Sequence, residues 1–431
     1  MMTGSVLISG AGIAGPVLAS LLARRGVSVT VVEIADGVRP GGQAVDLRGA
    51  GRTVLERMGL LEEARRLALD QQGIADIDDR GRHLSEMRVS DFGGEGIISE
   101  IEILRGDLAE LLVADSVDRG AEYLFGTRIT ALADMGDRVR VDLSDGTARE
   151  VDVVVGADGP HSGTRRLVFG PEERFVVPLG GYMAWFSCPE RESLDGWYVM
   201  YNRPGGLVAS LRPGRTPGSA KASLSFTSPV LEYDRHDLDQ QRDLLVARFD
   251  GAGWRTPELV DAARSAEDFY LDALVQVRMD RWSRGRVALI GDAACCPSPL
   301  TGLGTSLALV GAWVLAGELT EEQDRAAAFA RYEKLVRPYV DTAQKLPPGG
   351  LRSYAPRTRS AIRLRIATTR LMVSRPLQGL AKKLLFSKSD AIALPRYDSE
   401  GQGAPITAAS ADDVARKVVR SGTEHGELRA H

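Results

Sequence analysis

The chain has 431 residues, 44% hydrophobic and 26% charged, with a formal net charge of −4 at pH 7. These values fit a soluble globular protein with a sizeable core, in two to three domains or one interleaved unit, and exclude a disordered or fibrous chain. The slight acidity leaves no global basic field for nucleic acid. Three cysteines, Cys188, Cys295 and Cys296, make neither a disulfide framework nor a zinc spacing, so a cytoplasmic location and no metal site are expected. No stretch of about 18 uncharged apolar residues suggests a transmembrane segment, and the apolar start lacks the basic lead and cleavage site of a signal peptide.

In chain order, Ser5 to Ser9 reads as a buried parallel strand. It leads into Gly10-Ala11-Gly12-Ile13-Ala14-Gly15, a helical run Val17 to Arg25, and a second strand Val27 to Glu33. Strand, glycine turn, helix, strand and a closing acid within about 30 residues is the pattern of a dinucleotide site. Gly10 permits the tight turn, Gly12 lets backbone approach a pyrophosphate, and Gly15 lets helix lie close to strand. The helix N-terminus offers free N–H groups and a positive dipole end. Glu33 can accept from both ribose hydroxyls and would repel a 2′-phosphate, which favours FAD or NAD over NADP here. Gly93 to Gly96 is not a second such turn, since Glu95 lies inside it and no clear strand precedes it.

Two later strands end in aspartate turns. Val151 to Val155 leads into Gly156-Ala157-Asp158-Gly159-Pro160-His161-Ser162, with Arg165 beyond, and Arg286 to Ile290 leads into Gly291-Asp292-Ala293-Ala294. Both acids stand at the carboxyl ends of strands, where open α/β sheets bind ligands. Pro299, Gly302, Gly304 and Thr305 then precede a helical run from Ser306 to Leu319, whose N-terminus suits the electron-rich side of an isoalloxazine ring.

The order of these three motifs resembles the single-component flavoprotein monooxygenases of the para-hydroxybenzoate hydroxylase fold. It is most similar to the branch with tetracycline-inactivating enzymes and antibiotic-pathway hydroxylases. The resemblance runs from about residue 4 to about residue 340. It implies that Asp292 hydrogen-bonds the ribityl chain of FAD and that Asp158 to Arg165 lie beside FAD and influence NADPH binding. It further implies that Arg105 contacts the ribityl and phosphate region, that Arg39 contacts NADPH, and that Asp46 lies near the flavin. Two departures stand out: Cys295 replaces a common histidine, and Gly302-Leu303-Gly304-Thr305 replaces Gly-Gln-Gly-Asn. Cys295 is then either a covalent flavin anchor or a small buried residue.

From Glu173 to Asp280 the pattern turns to short alternating strands, with Gly181 to Cys188, Gly196 to Tyr201, Gly206 to Leu211 and Ala220 to Phe226 as examples, and a helix at Asp237 to Phe249. By resemblance this insert floors the substrate pocket, and Tyr182, Trp185, Phe186, Trp197, Tyr198 and Tyr201 are either its lining or sheet core. Residues 357 to 388 are acid-free and basic, a region readable as a membrane-surface helix, a lid for an anionic substrate, or a packed terminal helix pair with a solvated face.

The expected architecture is α/β: a GxGxxG FAD-binding, Rossmann-like domain with an inserted antiparallel β-sheet substrate domain and C-terminal helices. The expected divisions are 1–172 and 281–345 for the FAD-binding domain, 173–280 for the insert, 346–397 for the helices and 398–431 for a tail. The implied activity is FAD-dependent, NAD(P)H-using hydroxylation of a hydrophobic aromatic or polyketide-like small molecule by O₂, with flavin-borne chemistry and no assigned catalytic side chain. Two alternatives are an FAD oxidoreductase without oxygen insertion and a non-redox cyclase that keeps FAD structurally. A flavin halogenase would show Trp-x-Trp, which is absent.

Overall fold

Strand Ser5–Ser9 lies inside a six-stranded sheet, parallel to Ser28–Val32 on one side and to Val153–Gly156 on the other. Glu122–Leu124 and Val287–Leu289 extend it in parallel, and the short Ser283–Arg284 pairs antiparallel at one edge. Val6, Leu7, Ile8, Val153, Val154 and Val155 are all buried, because helices or strands cover both faces. The computed structural model describes residues 4–39, 42–92, 101–374, 376–377 and 392–397. Gly93 to Gly96, most of the basic stretch beyond Ser374 and the tail 398–431 lie outside the described residues.

The glycine-turn helix runs Ala14–Ala23, earlier than its apolar pattern indicates, because Ala14 and Gly15 are already helical. The long helix Gly304–Glu321 packs against it, with every residue from Ser306 to Leu319 buried. A helix apolar all round is a central one, and it carries the largest core cluster together with Gly49–Met58, Arg105–Asp118 and Arg325–Ala343.

A seven-stranded sheet forms the second layer system, in the order Tyr270–Val277, Val176–Pro189, Ser219–Thr227, Leu207–Pro213, Trp197–Arg203, Gly73–Ile77, His83–Arg88. Five strands come from the expected insert. The other two form a hairpin from residues 73–88, and Gly73–Ile77 pairs parallel with Trp197–Arg203. Glycine suits that junction, because a Cβ at Gly73 would meet Met87 O at 2.3 Å.

Alternation divides this sheet into two unlike faces. Tyr182, Ala184, Phe186, Leu211, Leu224, Phe226 and Leu271 form an apolar face against the helices Leu238–Phe249 and Thr256–Ser265. Trp185, Tyr270, Asp272, Tyr198, Arg212, Ser210 and Ser223 belong to the other, polar face, with Trp185 cross-strand from both Tyr270 and Ser223. That face turns toward the rest of the chain: His161, in the loop after Val153–Gly156, bonds Asp272 at 3.0 Å, and Arg212 bonds Glu102 at 3.0 Å.

The basic C-terminal region contributes the helix Arg359–Met372, capped by Thr358, whose Oγ1 accepts from Ala361 N at 3.2 Å. Arg365 reaches Asp76 at 3.1 Å and Arg370 donates to Leu84 O at 2.7 Å, so the helix packs on the hairpin end of the seven-stranded sheet. No described helix is long and apolar enough to cross a membrane.

Candidate functional site

Sterics fix the glycine turn at two of its three positions. Gly10 has φ +109°, and a Cβ there would meet Ala157 O at 2.5 Å; a Cβ at Gly15 would meet Gly10 O at 2.0 Å. A Cβ at Gly12 would meet only Arg105 Nη2, at 3.2 Å. Gly10 and Gly15 therefore serve the fold, whereas Gly12 faces a side chain across a gap. Ala11, Ile13 and Ala14 are buried between them. Ala11 N donates to Glu33 Oε2 at 2.8 Å and Ala35 N donates to Glu33 Oε1 at 3.0 Å, which ties the turn to the end of the second strand. A carboxylate has about four acceptor sites, so two remain for hydroxyl donors.

The helix Ala14–Ala23 has no side-chain cap and no acid in its first turn, Pro16 brings no N–H and Val17 N donates to Ile13 O at 3.3 Å, so the N–H groups of Ala14 and Gly15 have no side-chain partner. The exposed Arg105 guanidinium beside Gly12 donates to no acceptor among the described residues. A helix N-terminus and an unpartnered guanidinium converging on a glycine make an anion site.

Asp292 lies behind Arg105. Gly291 enters the turn at φ 58°, with its Cβ position 3.1 Å from the Ala14 side chain, so the two turns touch. Burial pushes the Asp292 carboxyl above its ordinary range, opposed by the charge of Arg105. The residue is half-buried. Gly304 follows closely, with a Cβ there 3.9 Å from Asp292 Oδ1. The helix Gly304–Glu321 also starts without a side-chain cap, leaving the N–H groups around Gly304 and Thr305 available. Pro299 and Gly302 are exposed at the lip of this loop, and a Cβ at Gly302 would lie 3.3 Å from Arg48 Nη2 and 3.7 Å from Asp46 Oδ2. Gly12 thus neighbours Arg105, Gly304 neighbours Asp292, and Gly302 neighbours Asp46 and Arg48.

Asp158 is engaged differently. It accepts from Thr164 N and Thr164 Oγ1, both at 2.9 Å, and from Ser162 Oγ. These bonds occupy its acceptors inside its own loop. Arg165, fully buried, donates to Pro160 O at 2.6 Å and Ala293 O at 3.0 Å, locking that loop to the Asp292 turn. Arg39 is exposed, with no partner among the described residues.

Several polar groups at the junction of the two sheets escaped the sequence reading. Glu102 stands directly opposite Asp46 across the antiparallel pair Ala44–Asp46 and Glu102–Leu104. Burial and the Asp46 charge raise the Glu102 carboxyl to about 8, against the pull of Arg212 and Arg48. His161 bonds Glu172 and Asp272, each at 3.0 Å. Burial works against its protonation, but the two carboxylates prevail and raise it to about 9. Tyr270 donates to Asp272 Oδ2 at 2.6 Å and stacks on Trp185 with centroids 5.9 Å apart. A lone acid inside the apolar run Ile101 to Leu104 was the available signal for Glu102.

Of the six aromatic candidates, Tyr182 and Phe186 lie in the apolar core behind the sheet. Trp197 packs against His83 near the far edge, Tyr201 against Trp254, and Tyr198 beneath Arg212. Trp185 pairs with the exposed ring of Tyr270. Cys295 and Cys296 are unpaired and buried; Cys295 Sγ donates to Gly291 O at 3.4 Å, an inward-facing small residue. No group of three metal-binding side chains occurs among the described residues.

The residues present fit FAD: Gly12 beside the Arg105 guanidinium, spare acceptors on Glu33, and a desolvated carboxylate at Asp292. Known proteins agree. The FAD binding domain family matches residues 3–343. An uncharacterized protein of Mycobacterium tuberculosis is 44% identical over 352 residues, 80% of this chain and 94% of that protein. A flavin-dependent monooxygenase from an unknown prokaryotic organism is 38% identical over 342 residues, 79% of this chain and 88% of that enzyme. The crystal structure of tetracycline destructase Tet(55) superposes with a TM-score of 0.77 at 34% identity, over 92% of this chain and all of that one.

Proposed function

The chain belongs to the FAD binding domain family, as an FAD-dependent monooxygenase, and from that membership we propose an NAD(P)H-driven hydroxylation of a polycyclic or otherwise oxygenated aromatic small molecule. The carrying observation is the pairing of Gly12 with Arg105 and of Gly304 with Asp292, whose carboxyl is raised by burial against the charge of Arg105. In this reading the cofactor belongs to residues 1–172, less the hairpin 73–88, and to 281–345, and the substrate to 173–280 with that hairpin.

FAD, when bound, supplies the redox and oxygen chemistry. The side chains bind and orient. Gly10 to Gly15 and Arg105 would hold the pyrophosphate, and Glu33 the adenosine ribose. Asp292 would take hydroxyl donors from the ribityl chain, which a desolvated carboxylate needs. Pro299, Gly302, Gly304 and Thr305 would border the ring, with backbone N–H groups in place of the Gln and Asn that the sequence lacks. Asp46 and Arg48 would stand at the ring's far edge. Asp158 would act by shaping its loop, since its oxygens are engaged. Arg39 would meet the reductant.

The substrate class rests on two supports. One relative of known structure is named for acting on tetracycline, and the polar sheet face here mixes aromatic rings with hydroxyls and Arg212. The test is an anaerobic titration of the flavoprotein with NADH or NADPH, following flavin absorbance with and without a panel of phenolic and polycyclic compounds. Bleaching accelerated by one compound supports the reading. A flavin that stays oxidised with both nucleotides contradicts it.

A further inference from the structure

The helix Arg359–Met372 differs from the others in what it buries. Every other described helix of ten or more residues buries at least three of them, and this one buries none. Polar bonds hold it instead: Thr358 caps it, Arg365 pairs with Asp76 at 3.1 Å, and Arg370 Nε donates to Leu84 O at 2.7 Å. Ile362 and Ile366 are half-buried on its inner side.

The outer side carries two rows. Leu364 and Leu371, seven residues apart and therefore on one side of the helix, are 65% and 57% exposed, with exposed Ala367 and Thr368 between them. Arg359, Arg363 and Arg370 are four and seven residues apart and form a neighbouring row, also exposed.

Charge points to the occupant. Residues 357–388 hold nine Lys and Arg and no Asp or Glu, in a chain whose net charge is −4, so positive charge gathers at this end. Asp76, Asp78 and Glu86 on the hairpin beneath the helix are already paired with Arg365, Arg82 and Arg88. Arg359 and Arg363 meet no carboxylate among the described residues. Cations beside an apolar row on a surface-lying helix suit the interface of an anionic bilayer, where leucines enter the headgroup boundary and guanidiniums meet lipid phosphates. A polyanion in solution would satisfy the arginines and leave the leucines in water.

We infer that the outer face of Arg359–Met372 docks this protein on an anionic phospholipid surface, with Arg359 and Arg363 on lipid phosphates and Leu364 and Leu371 in the headgroup boundary. Docking of this kind does not depend on the reaction proposed above.

The experiment is co-sedimentation of the FAD-loaded protein with vesicles of phosphatidylcholine alone or mixed with phosphatidylglycerol, at about 0.05 M and about 0.5 M salt. The wild type is expected on the mixed vesicles at low salt, and to leave them at high salt. Arg359→Gln/Arg363→Gln is expected to lower that partitioning about 25-fold, or about fivefold for each cation. Leu364→Gln/Leu371→Gln is expected to lower it about tenfold. All four positions face solvent, so flavin content and circular dichroism of both variants should match the wild type. A wild type that ignores the mixed vesicles, or binds neutral ones equally well, overturns the docking. So does wild-type partitioning in either double variant: with the arginine pair replaced, another surface holds the lipid, and with the leucine pair replaced, the face is a general polyanion site.

Discussion

Replacing Glu102 by glutamine makes protein stability less dependent on pH. Glu102 is buried, faces Asp46 directly across two strands, and is flanked by Arg212 at 3.0 Å and by Arg48. Like charges directly opposite in a ladder are unfavourable, and burial adds to the cost, so the folded chain holds the Glu102 proton up to about 8 against an ordinary 4.5. Between those values the folded state binds more protons than the unfolded one, and stability must fall as pH rises. The slope is about 1.4 kcal/mol per pH unit, and the whole window caps the loss at roughly 4–5 kcal/mol. Glutamine mimics the protonated acid and removes the term. Urea unfolding of both proteins at intervals from pH 5 to 9 is the assay. Glu102→Gln should gain on the wild type steadily up to about pH 8 and then level off. A difference that stays flat across the series would show that Glu102 ionises normally and that the two carboxylates do not share a proton.

Gly12→Ala should fold with a stability within about 0.5 kcal/mol of the wild type yet lose flavin, since its Cβ meets only a flexible arginine and the space kept for phosphate. Gly15→Ala should lose both flavin and about 1–3 kcal/mol, since backbone must move; flavin content and thermal unfolding separate the two. His161, raised to about 9 by Asp272 and Glu172 despite its burial, stabilises fully below its ordinary 6.5, and that contribution is lost as pH climbs through 9. His161→Asn should therefore cost roughly 1–2 kcal/mol at pH 6, discounted for partial exposure, and little at pH 10. Acid precipitation should release all the flavin into the supernatant, and Cys295→Ser should retain it, because Cys295 faces the core and burial pushes its thiol far up.

The motifs that sequence could reveal are those whose constraints are local. The positive φ of Gly10 and the approach of Gly15 to Gly10 O are matters of atoms a few residues apart, although Gly10 also abuts Ala157 across the sheet, and the buried strands around the turn are apolar without interruption. Alternation also located the insert's strands and the helix after Asp237, whose side chain accepts from Gln240 N at 2.9 Å. What stayed hidden depends on contacts distant along the chain. The hairpin 73–88 joins a sheet whose other strands begin at Val176. Glu102 acquires its character only when it is placed opposite Asp46, and Tyr270 only through Asp272 and His161. Period-two patterning separates Trp185 from Tyr182 and Phe186, but it does not say which face turns toward the rest of the chain; the His161–Asp272 and Glu102–Arg212 bonds show that.

The most direct test of the account is a turnover experiment under isotopically heavy O₂, with NADPH and a panel of polycyclic and phenolic compounds, read by mass spectrometry. One heavy oxygen atom in a product, in step with the nucleotide oxidised, is the predicted result. Nucleotide oxidation that yields a desaturated or reduced product without heavy oxygen, or a transformed product with no nucleotide consumed, would contradict it and leave FAD here serving a chemistry other than oxygen insertion.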